Sequence, residues 1–172
     1  MDKEKLMKLI KAYDDFPING IRFLDISYLI ANPAAMEYVS AIISESAKSV
    51  NADLLAGIEA RGFVFAAYAS CALKLGMAMI RKKGKLPGKT ISEQYDTEYS
   101  KEAMEAKPEI FSGKNVFIID DVLATGNTLL AASSLVEKSN GKVAGLFAII
   151  EISRLNGREK LSKYPIFSIL HF

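Results

Sequence analysis

Val116-Phe117-Ile118-Ile119-Asp120-Asp121-Val122-Leu123-Ala124-Thr125-Gly126-Asn127-Thr128 is the stretch that decides the reading of this chain. An apolar run makes a strand, two adjacent carboxylates sit at its carboxyl end, and a turn of small residues leads at once into a helix. In an open α/β sheet, ligands bind outside the carboxyl ends of the strands, so the order of these parts is itself a chemical statement. Backbone amides of Thr125 to Thr128, two threonine hydroxyls and the positive end of a helix dipole converge on one place, which suits a phosphate dianion. Asp120 and Asp121 are placed to accept hydrogen bonds from sugar hydroxyls or to hold the water shell of a metal. A phosphate cradle beside a diol clamp describes ribose 5-phosphate. The plain alternative is a strand end and an ordinary turn with Thr128 as helix cap. Paired aspartates alone would not exceed it; the complete string does. No Gly-Lys-Ser/Thr follows the turn, so this is not a Walker A loop.

The same alternation of parts extends on both sides. Asn32-Pro33 is a helix start, a capping residue followed by proline at the first helical position, and apolar residues recur at Ala35, Val39, Ile42, Ile43 and Val50. Asp53 to Ile58 reads as a strand, Arg61 to about Gly76 as a helix and Met77 to Ile80 as a strand. After the strand Asn115 to Ile119 come a helix over Thr128 to Ser139, Gly141 as its stop, and a strand over Val143 to Ile150. Continuous apolar runs of this kind suit strands buried on both faces of a parallel sheet. The expected architecture is a single α/β domain over residues 1–172, with a mainly parallel twisted sheet flanked by helices.

Composition narrows the chemistry. The chain has 172 residues, half of them apolar, which is enough for one substantial core. With 22 Lys plus Arg against 20 Asp plus Glu, the net charge of +2 gives no general drive toward nucleic acid or a membrane surface, so anion binding must be local. The single cysteine, Cys71, excludes a disulfide framework and a cysteine zinc site and fits a reducing compartment; it reads as an inert core residue. The single histidine, His171, reads as a surface residue and makes a Ser-His-Asp triad or a His-rich metal site improbable. The first ten residues read as a short amphipathic helix, not a signal peptide, and no apolar run approaches the ~18 residues of a membrane span; the expected location is the cytoplasm. Phe111, Phe117, Phe147 and Phe167 are core candidates.

Between Arg81 and Gly113 the pattern breaks. Lys82, Lys83, Lys85 and Lys89 are interspersed with glycines and prolines, and a polar run follows from Ser92 to Lys107. Some thirty residues without a clear core face read either as a functional loop or lid, placed at about residues 82–107, or as a solvated hairpin.

The central string resembles the 5-phosphoribosyl 1-pyrophosphate (PRPP) signature of type I phosphoribosyltransferases, and the chain from about Asp15 onward is similar to their adenine-specific members. The resemblance is carried by Asp15-Phe16-Pro17, Gly20-Ile21-Arg22-Phe23-Leu24-Asp25-Ile26-Ser27, Ala56-Gly57-Ile58-Glu59-Ala60-Arg61-Gly62-Phe63, Arg81-Lys82-Lys83-Gly84-Lys85-Leu86-Pro87 and Tyr95-Asp96-Thr97-Glu98-Tyr99, in the family's order. It implies transfer of a 5-phosphoribosyl group from PRPP to adenine, giving AMP and pyrophosphate with Mg²⁺, in a homodimer in which a basic lid residue can be lent by the neighbouring subunit. Ribose and phosphate would be held by Asp120, Asp121, Ala124, Thr125, Gly126, Asn127 and Thr128. Pyrophosphate would lie on Glu59, Ala60 and Arg61 with Arg81, Lys82 and Lys85; Mg²⁺ would be bound through substrate oxygens and water. Residues 1–32 would form an N-terminal helix and a hood that reads adenine through the main chain of Arg22 and Leu24, with Phe23 and Val122 stacked on the ring faces. Glu98 would handle the purine proton, with Tyr99 beside it and Arg61 neutralising the leaving group.

Three positions depart from the family: Leu24 where arginine is usual, Ser100 where glycine is usual, and Asn127 where a second glycine is usual. The last suggests a positive φ, or no room for a Cβ, at residue 127. Two rival readings stay open: a PRPP- or AMP-sensing regulator without catalysis, and transfer to another nucleobase.

Overall fold

The computed structural model describes residues 1–96 and 101–172. A short helix, α1 (Lys3–Met7), is capped by Asp2, whose carboxylate accepts from the Lys5 amide. It leads into a two-stranded antiparallel sheet of β1 (Lys11–Asp14) and β2 (Arg22–Asp25). After α2 (Ser27–Ile30), Asn32 caps α3 (Pro33–Ser49) through its side chain, and proline at the first position loses no helical hydrogen bond. Next come β3 (Leu54–Ile58), α4 (Arg61–Leu73) and β4 (Gly76–Lys82). Lys74, in the left-handed region, ends α4 two residues before Gly76.

The remaining elements are β5 (Ile91–Asp96), β6 (Lys101–Ala106), α5 (Pro108–Phe111), β7 (Asn115–Leu123), α6 (Asn127–Lys138), β8 (Lys142–Glu151), α7 (Gly157–Lys160) and β9 (Ile166–His171). The large sheet has the order β5-β6-β4-β3-β7-β8-β9. Strands β4, β3, β7, β8 and β9 run parallel, and the hairpin β5/β6 adds two antiparallel strands at one edge. The chain is thus a single α/β domain with a mainly parallel sheet. No helix among the described residues is long and apolar enough to cross a membrane.

Alternation along the central strands divides the core in two. Leu55, Phe117, Ile119 and Phe147 face α3 and α4, while Leu54, Ala56, Val116 and Ile118 face α5 and α6. Phe111, Phe117 and Phe147 are fully buried; truncating a core phenylalanine of this kind costs about 3–5 kcal/mol. Phe167 is only partly buried and its ring packs at a tilt on Phe117.

Three expectations are corrected here. The 82–107 segment is largely the β5/β6 hairpin, and it does have a core side, because pairing of β6 with β4 buries Met104, Glu105 and Ala106. Cys71 is exposed, since α4 turns it away from the sheet, and it is no core residue. The strand expected to stop at Ile119 runs to Leu123, because β8 is long enough to pair as far as Leu123 with Glu151. Asp120 and Asp121 therefore lie within β7. The C-terminal strand β9, which carries His171, was not anticipated from periodicity.

Candidate active site

β3 feeds α4 and then β4 on one side, while β7 lies on its other side, so the strand order reverses between β3 and β7. Crevices beyond the carboxyl ends of strands at such a reversal are where open α/β sheets place ligands. Both expected anion-binding segments emerge here: Glu59-Ala60-Arg61 after β3, and the turn Ala124 to Asn127 after β7.

The turn after β7, expected to cradle phosphate, is held by packing. Gly126 caps α6 at φ +82°, and a Cβ there would come within 2.5 Å of the Gly157 carbonyl oxygen. A Cβ on Gly157 would in turn come within 2.8 Å of the Gly126 nitrogen. Backbone lies directly on backbone, so any side chain at either position would push the turn out of place. Sequence reading missed Gly157; nothing local distinguishes it from another turn glycine.

Asn127 is corrected as well. It is the first residue of α6, and the positive φ belongs to Gly126, its neighbour. Its side chain points along the protein surface: Nδ2 donates to the Asp96 carbonyl at 2.9 Å, and Oδ1 accepts from Lys160 Nζ at 2.9 Å.

Asp120 and Asp121 are 8% and 6% exposed. Burial, and next the neighbouring charge of Asp121, push Asp120 well above the ordinary carboxylate range. Asp121 is also raised by burial, with Arg61 pulling the other way. Arg61 sets a guanidinium nitrogen 2.7 Å from Asp121 Oδ2, out of hydrogen-bonding direction, so this buried oxygen has charge compensation but no hydrogen-bond partner among the described residues. The same guanidinium donates to the Leu24 carbonyl at 3.1 Å and lies 5.0 Å from the centre of the Phe23 ring. Arg61 thus joins the hood strand to the aspartate pair.

That contact also shows how β2 is oriented. In an antiparallel pair, residues alternate between bonding the partner strand and facing the other edge. The Leu24 carbonyl serves Arg61, so Leu24, and Arg22 two residues before it, present their main chain on the edge away from β1. A cavity of about 330 Å³ lies there, lined by Arg22, Phe23, Leu24, Val122, Thr125 and Thr128, with Ile152 and Asp96 closing its sides. Ile152 and Asp96 were not among the sequence candidates.

Around the expected pyrophosphate loop, the cations are partly engaged with protein. Arg81 donates to both Glu59 oxygens, at 3.1 and 3.3 Å, and to the Lys85 carbonyl at 3.2 Å. The Lys82 amide donates to Glu59 at 2.8 Å, and its ammonium pairs with Glu102. The Arg81 bond, chiefly, holds Glu59 below its usual range. The Glu59-Ala60 peptide is cis. Another unforeseen residue shapes the basic turn: the buried Glu105 carboxylate accepts from the Lys85 and Leu86 amides at 2.7 Å and from Thr90 Oγ1 at 3.2 Å. Glu98, Tyr99 and Ser100 lie outside the described residues.

The β2 strand, Arg61 paired with the buried Asp121, and the turn after β7 meet around one cavity, and the phosphoribosyl transferase domain family matches residues 27–171. The chain belongs to that family. Over 173 aligned residues it is 42% identical to an adenine phosphoribosyltransferase of Chloroflexus aurantiacus, covering all of both chains. Two solved adenine phosphoribosyltransferases share its shape. The Thermoanaerobacter pseudethanolicus enzyme superposes with a TM-score of 0.94 at 36% identity, over 99% of each chain. The Giardia lamblia enzyme, solved with 9-deazaadenine, gives 0.95 at 35% identity, over 100% of this chain and 98% of its own. In this chain the backbone reaches α6 without a glycine at 127, since Asn127 is helical.

Proposed function

We propose that this chain transfers the 5-phosphoribosyl group of PRPP to adenine, giving AMP and pyrophosphate. The observation that carries the reading is the cavity of about 330 Å³, which puts the main-chain edge of β2, Arg61 with its pairing to the buried Asp121, and the turn after β7 around one volume of small-ligand size. In the reaction, purine N9 forms a bond to the anomeric carbon as the bond to pyrophosphate oxygen breaks, with inversion through an oxocarbenium-like transition state. The 5-phosphate rests on the amides of Ala124 to Thr128. Asp121 Oδ2, lacking a hydrogen-bond partner, is suited to a ribose hydroxyl once Arg61 turns toward the departing pyrophosphate, and Asp120 supports it. Ala60 and Glu59 shape the pyrophosphate loop, with Arg81, Lys82 and Lys85 adding positive charge. Arg22 and Leu24 offer backbone donors and acceptors whose roles cannot be exchanged, which favours a 6-amino over a 6-oxo purine, with Phe23 and Val122 against the ring. Glu98 shares the proton that N9 attack leaves on the purine, with Tyr99 beside it.

Mg²⁺ is the proposed cofactor. The oxygen donors beside the cavity, Asp120 and Asp121, the latter with an Oδ2 that accepts no hydrogen bond among the described residues, fit a hard cation that keeps waters and substrate oxygens in its shell. Bound there, it would offset charge developing on pyrophosphate. A homodimer in the cytoplasm is proposed too; Val64 and Tyr68, one turn apart on α4, leave an exposed apolar strip suited to a second copy. The test is an assay of the purified chain with PRPP against adenine, hypoxanthine, guanine and xanthine. Adenine should be consumed fastest; faster use of an oxopurine would overturn the base assignment, and PRPP binding without turnover of any base would favour a sensor.

A further inference from the structure

Asn127 lies between three parts of the molecule that sequence keeps apart. It opens α6 directly after the phosphate turn, it reaches the last residue of β5 through its bond to the Asp96 carbonyl, and it receives the ammonium of Lys160 at the end of α7. Each bond is 2.9 Å, a full-strength hydrogen bond, and the one to Lys160 is charge-assisted. The contact with Asp96 has structural leverage. The Asp96 carbonyl belongs to the residue at which the described part of β5 ends, and Asp96 itself borders the cavity beside Thr125 and Thr128. Elsewhere, a bridge from Lys138 to Glu93 ties β5 to the far end of α6. Asn127 is therefore the fastening nearest the cavity.

We propose that Asn127 is a positioning residue that couples the phosphate turn to the hairpin. Backbone N–H groups in the first turn of a helix have no intrahelical partner, and an anion that engages them fixes the residues that carry them. Fixing the backbone of Asn127 fixes its amide, and the amide fixes the end of β5. Occupancy of the phosphate turn is thereby transmitted to the strand that leads into residues 97–100. A glycine or alanine at 127 would keep the backbone amide for phosphate and lose the link. The proposal rests on the reading of the turn as a phosphate site.

Hydrogen exchange of the β5 amides, residues 91–96, measures the link, with ribose 5-phosphate as the probe and its affinity measured separately by calorimetry. In the wild-type protein, saturating ribose 5-phosphate should slow exchange in β5 about tenfold. In Asn127→Ala the probe should bind within about tenfold of wild type yet slow β5 exchange less than twofold, and kcat should fall more than the KM for PRPP rises. Asn127→Asp keeps an acceptor for Lys160 but turns a carboxylate toward the Asp96 carbonyl, and it should lose the coupling as Asn127→Ala does. Coupling of wild-type size in either variant that still binds the probe overturns the proposal. If ribose 5-phosphate fails to bind the wild-type protein, it is the phosphate reading that has failed, and the latch fails with it.

Discussion

Two turns at the mouth of this site are built on opposite principles. Among the described residues the amides of the turn after β7 have no acceptor, and the turn is kept in shape by close packing of Gly126 on Gly157. The basic turn between β4 and β5 is kept in shape by hydrogen bonds, and its Lys85 and Leu86 amides are engaged by the buried carboxylate of Glu105. A turn that must offer amides to a ligand cannot use those amides to hold itself together, so packing has to do it. A turn that presents charged side chains can be tied down through its backbone. The first is suited to cradle the terminal phosphate and the second to present lysines to pyrophosphate.

The largest effect should come from breaking the packed turn. Gly157→Val places a branched side chain where even a Cβ would meet the Gly126 nitrogen within 2.8 Å, and it should weaken PRPP binding by at least about 10²-fold, roughly 2.7 kcal/mol. A PRPP titration that finds near wild-type affinity would show that the turn does not need this contact. Next comes the proposed proton transfer: Glu98→Gln should lower kcat by about 10²-fold and leave PRPP affinity nearly unchanged, the reverse of the glycine variant. Wild-type single-turnover kinetics would remove Glu98 from the mechanism. Glu105→Gln should be milder. It removes a buried acceptor of charge-assisted bonds, destabilising the fold by about 1–3 kcal/mol, and should raise the KM for PRPP by about tenfold because Lys85 is no longer held in place. Denaturant unfolding together with steady-state kinetics would separate the two consequences.

The smallest effect, and the sharpest contrast, lies in the response to acid. Backbone and Thr90 hydrogen bonds, winning over burial, hold Glu105 below its usual range. Its contribution is therefore complete above its unfolded value near 4.5 and is lost as pH falls through the lower folded value. Asp120 is raised, so its ionised form costs stability above the raised folded value, and the cost vanishes below the unfolded value near 3.8. Asp120→Asn should consequently be more stable than wild type at neutral pH, with the gap closing on acidification, while Glu105→Gln should be less stable at neutral pH, also with a closing gap. Thermal unfolding of the three proteins from pH 7 to about pH 3 checks the signs; an Asp120→Asn protein less stable than wild type at pH 7 would mean the aspartate pair is stabilised by Arg61 more than it is strained by burial.

By itself the sequence determined what depends on contiguous residues. Apolar runs of strand length, Asn32-Pro33 as a helix start and Gly126 as the turn residue act over a few positions, so the parallel sheet and the turn after β7 were legible, and the family motifs located most of the cavity lining. Tertiary structure decided whatever needs two distant segments to meet. The burial of Asp120 and Asp121 follows from the length of β8, which carries pairing past Ile119. The core side of the hairpin exists only because β6 pairs with β4, and a polar run gives no hint of a buried Glu105 that closes a turn from 15 to 20 residues away. Gly157, Ile152 and Lys160 reach the site from the segment after β8, and the Asn127 side chain finds Asp96 only because α6 packs against the hairpin. Periodicity records which face of an element is apolar; it does not record which element will lie opposite, and the site is assembled from those meetings.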